Sequence, residues 1–221
     1  MGNRSYLSYR QNSGLKILFE GNNSTALFWL MLLTQEDIGK LGQIIDKLYD
    51  GEDDIDTALA VPKSKALERA KSRQNYLKST YPDTETLFEK WISFLEREES
   101  ADGVIYIDLV ELAGFYSTVE EFTGELRDIL SEIDGKADSA NRKKFDSAFV
   151  CDMTGFDSWE NEGRFAAYSP QYRALIEAQN RNKQNAVAKP QGRKLSPVPV
   201  ILILIIIATA VLILLRPAPV A

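Results

Sequence analysis

"NRSYLSYRQNSGLKILFE", residues 3–20, decides the fold class. In residues 3–10 Tyr and Leu alternate with polar side chains, the period of two that marks a half-buried strand. Asn12-Ser13-Gly14 is turn material, and residues 15–20 read as a second strand, so the stretch is a hairpin. Further along, Gly103 releases the chain into "VIYID", residues 104–108, a further strand. Most of the remainder is written in helical period. The expected class is therefore α+β: a helix-rich single globular domain with a small antiparallel sheet built from the hairpin and residues 104–108.

The helices follow from their apolar stripes. Residues 26–33, "ALFWLMLL", are apolar on most faces and read as a central core helix capped by Ser24 or Thr25. Residues 34–50 continue as helix, with Ile38, Leu41, Ile45 and Leu48 on one face and Gly51 ending it. A basic amphipathic helix is expected over 63–78. Pro82-Asp83-Thr84 opens the next, with Thr84 as cap and Leu87, Phe88, Trp91, Ile92 and Leu95 as its stripe. A short helical piece is expected over 109–113. Ser117-x-x-Glu120 matches a capping box for a helix that buries Phe122, Leu126, Ile129, Leu130 and Ile133. Residues 150–169 are aromatic, Gly-punctuated and irregular, with room for one strand, and Pro170 begins a last helix.

The chain then changes character. Residues 198–215 run apolar apart from Pro199 and Thr209 and carry no charge. As a helix the run spans roughly 27 Å, close to the hydrocarbon thickness of a bilayer. Its Ile, Leu and Val each favour insertion, and in lipid a lone segment satisfies its backbone only as a helix. The expectation is one C-terminal transmembrane helix, with Val198, Ile201, Leu204, Ile207, Val211 and Leu215 in the bilayer. Arg181, Lys183, Lys189, Arg193 and Lys194 precede the run and Arg216 follows it. Basic flanks stay inside, which gives a single-pass, tail-anchored protein of the inner membrane with its N-terminal domain in the cytoplasm. The expected organisation is an acidic head, 1–182; a basic polar linker, 183–197; the membrane helix, 198–215; and a short tail, 216–221.

Charge sharpens this division. Residues 1–170 hold 19 Lys+Arg and 31 Asp+Glu, a net of −12, and the rest hold 7 and 1, a net of +6. The basic stretch suits anionic lipid headgroups. The acidic head repels nucleic acid and suits a basic protein, so no direct nucleic-acid contact is expected. There is no histidine, which removes His-based triads, Cys-His dyads and HExxH zinc sites. The single cysteine, Cys151, allows no intrachain disulfide or CxxC knuckle and reads as a small core residue.

Few residues invite a chemical reading. "DGEDDID" carries Asp50, Glu52, Asp53, Asp54 and Asp56. A calcium loop wants Gly at its sixth position, but from Asp50 that position is Ile55. The stretch is either a solvated acidic loop or an anionic patch that docks a basic partner. Pro82-Asp83 with Asp134-x-Lys136 lacks the spacing and strand context of a nuclease motif. No Gly-rich phosphate loop and no nucleophile elbow occurs. Trp91 sits on a helix stripe and reads as core. Trp159 and Arg164 lie in an irregular, charged stretch, and Trp and Arg are residue types that anchor interfaces. No catalytic, cofactor or metal residues are assigned, and no small-molecule substrate is expected.

"NRSYLSY", "ILFEGNNSTALFWLMLL" and "VIYIDLVELAGF" with the capped acidic helix after it resemble a group of bacterial proteins that open Asn-Arg-Ser-Tyr-Leu. Some of these resemble immunity proteins against antibacterial toxins, including nuclease effectors delivered by type VI secretion. The resemblance covers residues 3–135, carries no invariant chemical motif and implies binding rather than catalysis. The leading expectation is a tail-anchored, non-enzymatic immunity protein that neutralises a cognate toxin through an acidic surface. The alternative is a membrane-anchored adaptor or scaffold recruiting a cytosolic protein. A third reading, an enzyme, would have to use carboxylates such as Asp83, Asp108 or Glu111.

Overall fold

The hairpin forms as read. In the computed structural model β1 (Arg4–Gln11) pairs antiparallel with β2 (Gly14–Asn22). The structure describes residues 2–11, 14–136 and 145–188. It divides into two compact units, Met1–Asn180 and Arg181–Ala221. All strands among the described residues lie in the first. The second is described only at residues 181–188, the end of the last helix.

After the hairpin come α1 (Leu27–Leu30), α2 (Gln35–Tyr49), β3 (Leu59–Pro62), α3 (Lys63–Ser72), α4 (Gln74–Thr80) and α5 (Glu85–Arg97). Then follow β4 (Val104–Asp108), α6 (Val119–Ile133), α7 (Val150–Met153), β5 (Phe156–Asp157), α8 (Arg164–Tyr168) and α9 (Pro170–Ala188). Short 3-10 segments occupy Pro82–Thr84, Val110–Phe115 and Trp159–Asn161. The sheet is antiparallel in the order β3-β4-β1-β2-β5. The α+β class stands, and the sheet is larger than expected. β3 and β5 extend it on either side: β5 falls in the stretch expected to hold one strand, and β3 is too short for its alternation to be read in sequence.

One sheet face carries the core. Leu7, Tyr9, Phe19, Leu59, Val61, Ile105 and Ile107 point into it. Against them pack the stripes of α5 and α6 and residues 26–33, every one of which is fully buried. Phe19 meets Trp91, Phe94 and Phe165 at ring-centroid distances of 5.2–6.1 Å. Burying each large apolar side chain contributes roughly 1.5–3 kcal/mol. Trp91, expected in the core, lies at its centre.

Several helical expectations need correction. Residues 26–33 are not one helix: α1 is a single turn, its N-cap is Ala26, and neither Ser24 nor Thr25 caps it. Because every side chain there is buried, amphipathicity did not dictate the conformation. Thr34 starts α2 afresh, its hydroxyl accepting from Asp37 N (3.1 Å) while Asp37 Oδ2 accepts from Thr34 N (2.8 Å). The expected helix over 63–78 breaks at Arg73 into α3 and α4. Thr84 does not cap α5; its hydroxyl donates back to Tyr81 O (2.8 Å). The cap of α6 is Thr118, one residue later than read, and accepts from Glu121 N (3.1 Å). Glu121 in turn accepts from Ser117 N (2.9 Å). The piece expected over 109–113 is the 3-10 turn Val110–Phe115.

The break at Arg73 has a use. Its guanidinium is nearly fully buried and donates to the carbonyls of Met31 (2.9 Å), Leu33 (2.7 Å) and Leu30 (3.4 Å). Its Nε and the second terminal nitrogen hold Asp134 at 2.8 and 2.7 Å. Arg69 donates to Leu32 O. The two arginines of the α3 region thus satisfy the carbonyls of Met31, Leu32 and Leu33, which the one-turn α1 leaves open, and share that of Leu30 with Leu33 N.

The expected membrane residues Val198, Ile201, Leu204, Ile207, Val211 and Leu215 lie outside the described residues, as does most of the linker 183–197. Among the described residues no helix is long and apolar enough to cross a membrane.

Candidate docking surface

The acidic loop is built by the end of α2 and the start of β3. Asp50 caps α2, Gly51 turns the chain at φ +81°, and Asp54 adopts φ +61°. Aspartate tolerates that left-handed conformation better than most side chains. Asp56 Oδ1 accepts from Ala58 N (3.1 Å), and Thr57 Oγ1 donates to Asp108 Oδ2 (2.6 Å), which pins the end of the loop to the end of β4. Between these ties Asp50, Glu52, Asp53, Asp54 and Asp56 are all exposed. Among the described residues the one ion pair within this group is Glu52 with Lys47, at 3.8 Å. The C-terminal end of a helix carries partial negative charge, so α2 adds to the potential rather than offsetting it.

More carboxylates adjoin the loop. Asp108 Oδ1 accepts from Val110 N (3.0 Å), and Glu111 Oε2 accepts from Arg4 N (2.7 Å). α2 runs along α6: Gln35 reaches Arg127 O (2.9 Å), and Gly42 faces Thr123 and Val119. The next turns of α2 therefore pass the start of α6, where Glu120 and Glu121 lie. Two aromatic side chains are exposed in this region, Tyr49 (65 %) at the end of α2 and Phe115 (56 %) just before α6. Sequence reading missed both. Tyr49 continues the stripe of Gly42 and Ile45 past the point where α6 begins, so pattern alone assigns it to the core.

The other two expected docking residues lie elsewhere. Trp159 is 78 % exposed, on a turn stitched to β2 by Ser158 N to Leu18 O (3.1 Å), Ser158 Oγ to Ile17 O (2.6 Å) and Ile17 N to Glu160 Oε2 (2.8 Å). That turn follows β5, one edge of the sheet, whereas the acidic loop enters β3, the other edge. Four strand spacings, about 19 Å, separate those edges. Arg164 makes a bidentate pair with Glu98 at 2.8 and 2.5 Å. The Glu98 carboxylate is almost fully buried and the guanidinium half exposed. Arg164 thus has an internal partner, and the sequence-named residues form an acidic site plus a separate aromatic one.

The carboxylates considered for chemistry also divide. Asp108 and Glu111 lie near Tyr6, whose hydroxyl pKa is raised by burial first, then by Glu111 and Glu20, with Arg4 opposing. Asp83 sits at the start of α5, its carbonyl bound by Gln171 of α9 (3.1 Å). Among the described residues no group of three or more acidic or Cys side chains could hold a metal ion.

A hollow of about 850 Å³ lies beside the end of α5, bordered by Lys63, Glu96, Arg97 and Glu98. Lys63 Nζ there donates to Glu98 O (2.6 Å) and Glu96 O (3.1 Å) and stands 5.0 Å over the Tyr9 ring. Its pKa is lowered, chiefly by burial, with Glu98 and Glu96 acting against the shift. These contacts describe a cation closing a helix C-terminus.

Compared with known protein families, with curated proteins and with solved structures, the chain matches none.

Proposed function

We propose that this protein is a non-enzymatic immunity protein. Its acidic surface binds a basic antibacterial toxin, with a nuclease effector as the class that fits best, and residues 198–215 anchor it as a membrane helix with the head in the cytoplasm. The observation that carries the reading is the acidic loop 50–56, which holds five exposed carboxylates and no cation of its own, Lys47 of α2 pairing with Glu52, and is fixed at both ends. A nuclease grips phosphates with Lys and Arg, and a fixed array of carboxylates is complementary to that surface. Opposite fields also speed encounter, which matters when an inhibitor must intercept an incoming toxin. Exposed Tyr49 and Phe115 add anchors of the kind that carry binding energy at interfaces. The resemblance of residues 3–135 to bacterial proteins that open Asn-Arg-Ser-Tyr-Leu, some of which resemble immunity proteins, supports the same reading.

The test uses the full-length chain, isolated from its own cells in detergent and released from bound proteins by a salt step. The expected partner is basic, toxic when expressed alone, and harmless when co-expressed with this chain. Asp53→Lys with Asp54→Lys should weaken that protection. A partner whose toxicity persists in the presence of the chain would sink the reading. A non-toxic cytosolic partner would give the lead to a membrane-anchored adaptor.

A further inference from the structure

We propose that the end of the head opposite the acidic loop docks onto the anionic lipid headgroups of the membrane, through Lys90, Arg97 and Arg164 around Tyr168. The sheet separates the two ends. β3 pairs Leu59 with Ile107 and Pro62 with Val104. The acidic loop leads into Leu59, so it lies at the Asp108 end of β4. α5 finishes at the other end of β4, a strand length of about 14 Å away. There Lys63, next after Pro62, donates through Nζ to Glu98 O (2.6 Å), and Ala101 N donates to Arg10 O (2.8 Å) beside the hairpin turn.

On α5, Lys90, Phe94 and Arg97 follow one another at helical spacing. Tyr168 of α8 lies across them. Its ring centre is 6.0 Å from that of Phe94, 5.6 Å from Lys90 Nζ and 5.1 Å from the Arg97 guanidinium carbon. Arg164, one turn earlier on α8, lines a hollow of about 380 Å³ together with Arg97 and Tyr168. Arg173 donates to Ala166 O (3.2 and 3.1 Å) and adds a fourth exposed cation beside α8. Among the described residues the side chains of Lys90 and Arg97 have no ion pair and no hydrogen bond, and the Tyr168 hydroxyl has no partner. Elsewhere on the head Lys40, Lys71 and Lys78 are each held by a carboxylate. The carboxylates near the hollow are mostly engaged: Glu98 by Arg164, Glu96 by Lys71, Asp157 by Ala166 N and Glu160 by Ile17 N. Glu99 and Glu162 remain exposed, two against four cations. The dipole of α5 accounts for Arg97 in its last turn, but not for Lys90 two turns back or for Arg164 on another helix.

The same end carries exposed apolar side chains. β5 runs antiparallel to β2 and Ser158 meets Leu18, so the turn of Trp159 lies towards the start of β2, where Leu15 is exposed as well. Unpaired cations beside an exposed Trp and a half-buried Tyr suit the headgroup layer, where phosphates meet Lys and Arg and aromatic rings are enriched. The length of the chain selects this anion over others. The proposal rests on residues 198–215 being a membrane helix. Only residues 189–197 separate that run from the last described residue, about 30 Å if fully extended, so the leaflet is kept at high effective concentration near the head. Nucleic acid has no such tether and meets a net charge of −12 over residues 1–170. Docking at this end leaves the acidic loop turned to the cytoplasm.

The test uses the full-length chain in vesicles of phosphatidylcholine, with or without phosphatidylglycerol, that also contain a lipid with a nitroxide on its headgroup. Ala167→Cys, in the hollow, is labelled from outside with an impermeant fluorophore; Cys151 is buried and stays unlabelled. Quenching by the nitroxide should be severalfold stronger in the phosphatidylglycerol vesicles. It should fall to the phosphatidylcholine level in about 1 M salt, which screens charges beyond about 3 Å. It should fall likewise in the double variant Lys90→Glu with Arg97→Glu, checked for an unaltered circular dichroism spectrum. Arg164 is left in place because it holds Glu98. The same fluorophore on Asp53→Cys should stay unquenched. Equal quenching in both kinds of vesicle, quenching unmoved by the double variant, or quenching at residue 53 rather than 167 would overturn the proposal. No quenching, with polyglutamate binding the same face, would overturn it too and put an acidic protein in the place of lipid. A chain that carbonate strips from the vesicles would sink the membrane helix. The docking face would then stand only if the stripped chain floats with phosphatidylglycerol vesicles and the double variant does not.

Discussion

Burying a guanidinium costs several kcal/mol unless its N–H groups find acceptors, and Arg73 shows what that demands. Its partners are three carbonyls from residues 30–33 and the Asp134 carboxylate. Arg73→Leu would strand the Met31 and Leu33 carbonyls in the interior, while Leu30 O keeps Leu33 N and Asp134 keeps Lys136 at 3.4 Å, so a loss of about 3 kcal/mol is expected. Chemical denaturation of the variant would show it as a lower midpoint at unchanged slope. Arg73→Lys should recover little of the loss, because one ammonium cannot reproduce the planar fork. A midpoint within error of the wild type would mean that the carbonyls find other donors. The buried phenols make a second residue-scale case. Tyr9, Tyr116 and Tyr172 all have pKa values raised above the ordinary 10.0, burial being the largest cause in each. A phenol that holds its proton more tightly when folded stabilises the fold fully below its unfolded pKa, near 10. That stability is lost as pH rises towards the folded value. Absorbance at 295 nm should therefore show these tyrosines ionising together with the loss of circular dichroism above pH 10. Complete phenol ionisation with the spectrum intact would count against their burial.

At the scale of elements, the caps decide where helices begin, and a one-residue shift separates two readings of the same motif. Thr118 caps α6, while Ser117 contributes only its N–H to Glu121. Thr118→Ala should cost about 1 kcal/mol and Ser117→Ala far less. Urea midpoints for the two variants would reverse if the capping box began at Ser117. The shift also shows what was legible. The hairpin, β4, and the stripes of α2, α5 and α6 could be read because each has one wet face and one dry face, and that contrast gives a period. Residues 26–33 have no wet face, so their content said "buried" and nothing about conformation. The break at Arg73 depends on carbonyls some forty residues away, which no local pattern encodes. Of the site, the acidic loop was evident as charge. Its link to Asp108 and Glu111 required the pairing of β3 with β4, and a four-residue strand gives too little alternation to announce itself. Trp159 was rightly read as outside the core stripes. Arg164 was named with it, yet it holds Glu98, because sequence shows that an arginine lies in a charged stretch and not which carboxylate is buried beside it.

For the whole molecule the governing fact is that charge and hydropathy are segregated along the chain: a net of −12 over residues 1–170, +6 beyond, and an uncharged apolar run at 198–215. The acidic head has reason to avoid an anionic bilayer, and the basic stretch has reason to approach one. Electrostatics alone gives weak, salt-sensitive attachment, whereas insertion of the apolar run gives attachment that salt and alkali do not reverse. These alternatives separate cleanly. If residues 198–215 span the bilayer, the full-length chain should stay with membranes through high salt and carbonate at high pH. Leu204→Arg with Ile207→Arg places two charges near the middle of the run, each costing about 2.5–3.5 kcal/mol on insertion scales. That is comparable with the favourable sum of the Ile, Leu and Val side chains, so the double variant should move to the soluble fraction while its head keeps its circular dichroism. If the wild-type chain is released by salt alone, the basic stretch is the attachment and the apolar run is buried against protein. The docking proposed for the acidic loop would stand in either case, but the proposed interception of a toxin at the membrane would lose its physical basis.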